Sequence, residues 1–231
     1  MYLLTVNNDA KTKKGQQKGY LTGVIYMAPT DISGYNVCPM ASQGCKAACL
    51  FTAGRGRFTQ TQQARIRRTK LYFEDRPAFM VMLRKEIDAL ERKAARESLE
   101  PVVRLNGTSD IFGTDYRQLM EDYSHIKFYD YTKVWNRFDK NLPDNYYLLF
   151  SRSETNEDKM LNVLQRGYNV AVVFGTLPEY YYGYPVINGD KTDVRFLDPS
   201  GVIVGLKAKG EAKHDNSGFV VQTQIKAKEV A

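Results

Sequence analysis

The chain is poor in the residues that most often carry catalysis: among 231 residues there are two histidines, one tryptophan and three cysteines. His125 and His214 stand far apart, so the closely spaced histidines that hold a metal beside a tyrosine nucleophile in replication nickases are missing. Neither lies in a recognisable nucleophile context, which disfavours serine or cysteine hydrolysis. No apolar run is long enough to span a bilayer, and charges recur throughout. Asn7, Asn8 and Asp9 interrupt the first apolar stretch, so there is no signal-peptide pattern and a cytosolic location is expected. No Pro/Gly/Ser-rich linker or block of like charge divides the chain, which predicts one domain over residues 1–231.

What is present is concentrated. Cys38, Cys45 and Cys49 lie on one short stretch with the spacing Cys38-x6-Cys45-x3-Cys49. In a reducing compartment a disulfide framework is disfavoured, and three thiols cannot all pair. The net charge is +7, and residues 51–70 hold Arg55, Arg57, Arg65, Arg67, Arg68 and Lys70 with no acid. That balance suits an anionic partner, either nucleic acid through Arg65, Arg67 and Arg68 or a phosphorylated small molecule. Net positive charge that merely keeps a protein soluble explains it equally well.

The hydrophobic pattern predicts strands at Leu21–Met27, Val102–Leu105, Ile126–Tyr131, Tyr146–Phe150, Val170–Phe174 and Val202–Leu206, with a weaker one at Pro185–Ile187. Residues 1–20 read as a polar, basic arm. A helix is expected from Thr59. A second begins after Asp75 as N-cap, with Pro77 in its first turn and Phe79, Leu83, Ile87, Leu90 and Ala94 on one face. Tyr116–Tyr123 and Glu157–Arg166 are further helices, the latter stopped by Gly167. Strand–helix alternation predicts an α/β fold with parallel pairing. Six or seven strands fit a compact or incomplete β/α (TIM-like) barrel, and a doubly wound open sheet is the alternative.

The cysteines fall in the loop over residues 28–58, after the first expected strand. Cys45 and Cys49, four apart, share a face if Gly44 starts a helical turn, and Pro39 and Gly44 shape the return to Cys38. Three thiolates suit a [4Fe-4S] cluster whose remaining iron takes another ligand. Electron-carrying clusters mostly use four cysteines, so three point towards chemistry at an open iron. Alternatives are a zinc site completed by a histidine, His214 rather than His125, and three unliganded thiols.

The blocks CPMASQGCKAACLFTAGRG and PVVRLNGTSD resemble a family of bacteriophage proteins, the gene product eighty-eight-like family, over most of the chain. A more remote resemblance is to radical S-adenosylmethionine enzymes, which place three cluster cysteines in a loop after the first strand of a partial β/α barrel. It implies S-adenosylmethionine as a ligand of the cluster. Their usual spacing is x3 then x2, and here Asn106-Gly107-Thr108 stands where they carry a glycine-glycine-glutamate stretch.

On a β/α barrel the residues after each strand line the active face. Asn106, Ser109 and Asp110 follow one strand; Tyr129, Asp130, Tyr131, Thr132 and Lys133 end the next; Ser151, Arg152 and Ser153 end a third. Asn188, Asp190, Lys191, Lys207 and Lys209 follow later ones. Lys133 and Arg152 are candidate clamps for a carboxylate or phosphate, although any of the acids and amides can equally be a helix cap. The GRGR stretch at 54–57 is a weak anion-loop signal, and Tyr180, Tyr181, Tyr182 and Tyr184 form a stacking platform, a lid or a contact surface. Three functional readings follow: an enzyme acting on a small molecule or nucleotide by radical chemistry, a non-catalytic redox or electron-transfer protein, and a basic nucleic-acid binder with structural zinc.

Overall fold

The computed structural model describes residues 1–6 and 10–222. Nine strands form one sheet: β1 Leu4–Val6, β2 Tyr20–Ile25, β3 Glu100–Arg104, β4 Lys127–Thr132, β5 Tyr146–Ser151, β6 Val170–Phe174, β7 Tyr180–Tyr181, β8 Tyr184–Asn188 and β9 Ile203–Lys207. Their order is β1-β2-β3-β4-β5-β6-β9-β8-β7, parallel from β2 through β8, with β1 and β7 pairing antiparallel at the two ends. The expected α/β class is observed, and the sheet is not closed by pairing between β1 and β7.

Among the described residues six α-helices accompany the sheet: α1 Ala10–Gln16, α2 Gln43–Ala47, α3 Thr59–Glu74, α4 Arg76–Arg96, α5 Thr114–Asp122 and α6 Glu157–Gln165. α4 starts as its sequence predicts: Asp75 Oδ1 accepts from Ala78 N at 3.0 Å, and Pro77 sits in the first turn. Its buried residues are Phe79, Leu83, Ile87, Leu90 and Ala94. They pack with α5 onto Leu21, Ile25, Val103 and Phe128 of the sheet. Met160, Val163 and Leu164 of α6 cover Phe150, Val170, Val172 and Ile203. Leu148 of β5 touches both clusters, so α4, α5 and α6 lie on the same face. On the opposite face residues 189–198 return across the sheet. There Asp193 meets Arg104 at 2.9 Å and accepts from the Tyr129 and Tyr131 hydroxyls at 2.9 and 3.2 Å.

Two segments differ from the sequence expectation. The basic arm forms β1 and α1, because Leu3 and Leu4 bury their side chains while their amides donate to the Glu86 carboxylate at 2.7–2.9 Å. The tyrosine run forms the β7–β8 hairpin, turned by Tyr182 and Gly183 at φ +51° and +75°. Two successive residues at positive φ are what a tight hairpin turn demands. Tyr181 is buried against Phe174 and donates to Glu157 at 2.9 Å, so it is not part of an exposed platform. No helix among the described residues is long and apolar enough to cross a membrane.

Leu83 is fully buried and Val81, on the same helix, is 53% exposed. Leu83→Ala is expected to cost about 2–5 kcal/mol in urea unfolding, and Val81→Ala under about 0.5 kcal/mol. Equal effects would contradict the face assigned to α4.

Candidate functional site

All parallel strands point their C-terminal ends the same way, and residues 26–58, between β2 and α3, run across those ends. Three backbone-level ties fix this crossover to the loop after β3. Gly107 N donates to Ile25 O at 2.9 Å, Thr108 Oγ1 to Met27 O at 2.6 Å, and Asp110 N to Val37 O at 2.7 Å. A side chain at Gly107 would strike Ile25 O and the Tyr26 ring, so the close approach requires glycine.

The far side of the crossover is tied to the loop after β5. Glu154 Oε1 accepts from Gly44 N at 2.8 Å, and Oε2 accepts from Ser42 Oγ at 2.7 Å. Ser42 in turn caps α2 by accepting from Cys45 N at 3.2 Å. Gly44 also lacks room for a side chain: a Cβ would overlap Ser217, Phe219 and Glu154. Glu154 therefore sets where Cys45 stands, a role with no signal in the residue pattern.

The three cysteines are half-buried free thiols. Cys38 Sγ lies 3.8 Å from Thr108 O. Burial pushes its thiol up to about 11, opposed by a backbone hydrogen bond at Thr30, with Cys49, Cys45 and Asp110 adding to the rise. Burial also raises Cys49; a backbone hydrogen bond at Phe51 opposes this, Cys45 adds to it, and Arg65 and Lys133 pull the other way. The thiols thus lie within electrostatic reach of one another and of two cations. Among the described residues no three Cys, His, Asp or Glu side chains converge as ligands of a single ion. His125 sits at the start of β4, the opposite end of the sheet, 2.6 Å from Glu91. It borders a surface depression of about 440 Å³ lined also by Arg92, Glu100 and Lys127. His214 is exposed at the end of the 3-10 turn Gly210–His214, which packs on the turn Leu50–Thr52 after Cys49.

The expected polar rim divides into a buttress and a smaller set that faces the cysteines. Asp130, fully buried, accepts from Asn106 N at 2.7 Å, Asn106 Nδ2 at 2.9 Å and the Tyr146 hydroxyl at 3.2 Å. Asn106 Oδ1 accepts from Ser109 Oγ at 2.9 Å and from Ile111 N at 3.0 Å. Asp110 takes Thr132 Oγ1, Lys133 N and Arg137 Nη1 at 2.7–2.8 Å. Asn106, Ser109 and Asp130 therefore hold one another, and Asp110 holds the end of β4 and Arg137. Arg152 holds the chain at Gly218 and Phe219 by their carbonyls, at 2.5 and 3.0 Å. Asp190 is bonded to Lys209 Nζ at 2.6 Å and to Lys207 N at 3.0 Å.

Lys133 faces inward. Its Nζ donates to Ser151 Oγ at 2.9 Å and lies 5.6 Å from the centre of the Phe219 ring. Phe219 packs with Ala48 and Cys45. Arg65 approaches from the other side. It is 7% exposed, stacks on Tyr26 and Phe51 at 5.1 and 5.5 Å, and its Nε and Nη1 are buried without a hydrogen-bond partner. Arg68 donates to Tyr2 O and Tyr26 O at 2.7 and 3.3 Å. Of the three arginines expected to present a nucleic-acid face, only Arg67 is exposed.

Two predictions follow from this geometry. Glu154→Ala is expected to destabilise the chain by about 1–3 kcal/mol and to speed hydrogen exchange at the Gly44 and Cys45 amides; unchanged exchange there would remove Glu154 from the site. Burial raises the Asp130 carboxyl to about 6, against Asn106, Arg104 and Tyr146, which favour the ionised form. The folded state then binds more protons than the unfolded one between about pH 4 and pH 6. Its contribution to stability is greatest below that window and falls as pH rises through it, by on the order of 3 kcal/mol. The difference between wild-type and Asp130→Asn unfolding free energies should show that fall, and a flat difference curve would refute it.

No curated protein and no solved structure matches the chain. A family match does extend over residues 2–223, spanning the crossover, its cysteines and every strand of the sheet. The chain belongs to the Gene product 88 family, to which its cysteine and PVVRLNGTSD blocks had pointed.

Proposed function

We propose that Cys38, Cys45 and Cys49 hold a [4Fe-4S] cluster with one open iron, on an incomplete β/α barrel, and that the protein does radical-type chemistry on a small molecule at that iron. The observation that carries the reading is the placement of three thiols, in mutual electrostatic reach, on the loop after the first parallel strand. They stand where the C-terminal strand ends meet, the usual active face of β/α folds. Further support for the barrel is the strand order, which runs consecutively from β2 to β6 with α4, α5 and α6 on one face.

The donor set fits the group. Thiolates are soft ligands suited to iron–sulfur clusters. The cluster supplies an electron and an open coordination position. The chain's residues do the rest: Glu154 and the Asn106–Asp110 loop hold the ligand-bearing crossover in place, while Lys133 and Arg65 place positive charge beside the sulfurs. S-adenosylmethionine is the first ligand to test at the open iron.

A second reading, electron transfer to a protein partner, draws on Ile32, Met40, Leu50 and Phe58. These apolar side chains of the crossover are 46–55% exposed.

Anaerobic purification followed by iron, sulfide and zinc counts tests the proposal. Iron and sulfide in equal amounts, with an absorption band near 400 nm (roughly the thiolate-to-iron charge-transfer region), are expected. Cys38→Ser, Cys45→Ser and Cys49→Ser should each remove them. Zinc alone, or no metal after reconstitution, would end the cluster reading.

A further inference from the structure

An arginine that is 7% exposed, with two buried guanidinium nitrogens that have no hydrogen-bond partner among the described residues, calls for an explanation. Arg65 gains attraction from the Tyr26 and Phe51 rings, which also fix the plane in which its fork lies. Ring faces supply no acceptor for an N–H in that plane. Phe51 is two residues beyond Cys49, so the fork is set beside the last of the three cysteines. Lys133 reaches the same segment from the sheet. Its ammonium lies over Phe219, which shares a hydrophobic cluster with Cys45 and Ala48, and among the described residues its hydrogen bond is to a neutral serine hydroxyl. Among the described residues neither cation takes part in an ion pair, whereas nearby Arg104 and Arg137 are each paired with a buried aspartate.

We propose that Arg65 and Lys133 form an oxyanion-binding site flanking the cysteine segment 45–52, and that the protein's small-molecule ligand carries a carboxylate or phosphate bound there. Arg65 offers the planar fork that matches an oxyanion with two parallel hydrogen bonds, and Lys133 adds a mobile point charge with three donors. The inference rests on the preceding reading for the ligand's role at the open iron, while its binding is measured separately.

The test uses the full chain purified anaerobically, with iron and sulfide counted on the same sample. Inorganic phosphate and citrate are titrated in by calorimetry at constant ionic strength. One saturable site for at least one of the two anions is expected. Arg65→Gln and Lys133→Gln should each weaken it at least tenfold, and Arg65→Lys should fall between Arg65→Gln and wild type. Arg67→Gln, which removes an exposed charge from the same helix, should change the affinity less than twofold. If Arg65→Gln does not fold, the half-buried Lys133→Gln carries the comparison. No saturable binding of either anion, or equal weakening in Arg67→Gln, would overturn the site. Iron and sulfide without anion binding would defeat this inference alone, and anion binding by an iron-free protein would defeat only the cluster.

Discussion

The structure depends on how a long irregular crossover is held over the open ends of a parallel sheet. Residues 26–58 carry many backbone groups outside regular elements, and each one buried without a partner is costly. The chain meets this with a polar buttress under one side and a single carboxylate on the other. Asn106 and Asp130 bond to each other and Asp110 bonds to Thr132 and Arg137, which fixes the loop after β3. That loop then donates hydrogen bonds to the carbonyls of Ile25, Met27 and Val37. Glu154 does the same for Ser42 and Gly44 across the sheet. Cys38 and Cys45 each lie within a residue or so of one of these ties, so their spacing is set by the sheet rather than by the loop.

This explains why most of the fold could be read from the sequence and much of the site could not. Strands buried on both faces leave short continuous apolar runs, and β6 was expected with the bounds it has. α4 was legible from its cap and its apolar spacing. β1 and α1 were not, since Lys11, Lys13 and Lys14 make the segment read as solvated, and it is Glu86 on α4 that recruits the Leu3 and Leu4 amides. At the site, a sequence tells that polar residues follow a strand but not whether they face a ligand or each other. Asn106, Asp110 and Asp130 were candidates for the first and are bonded in the second way. Arg65 was read with Arg67 and Arg68 as surface charge. Its spacing with Thr69 and Tyr72, four and seven residues on, is that of one helix face, and all three are buried. That signal was present and outweighed by the residue type.

The charge balance of this end of the molecule connects the proposals. A buried cation is tolerable when a counter-charge or a full set of acceptors accompanies it. Arg104 has Asp193 and Arg137 has Asp110, each at under 3 Å. Arg65 and Lys133 have aromatic rings and a hydroxyl. As neutral thiols the cysteines offset none of that charge, and burial favours the neutral form. Bound to the proposed cluster they would be thiolates, and their negative charge would become available to both cations. A cluster with a zinc-like structural role needs only that local compensation. An oxyanion reaching the open iron would meet the same two cations from the ligand side, which is why the arginine fork, with donors left over after ring stacking, separates a site built for a charged ligand from one built only to hold metal.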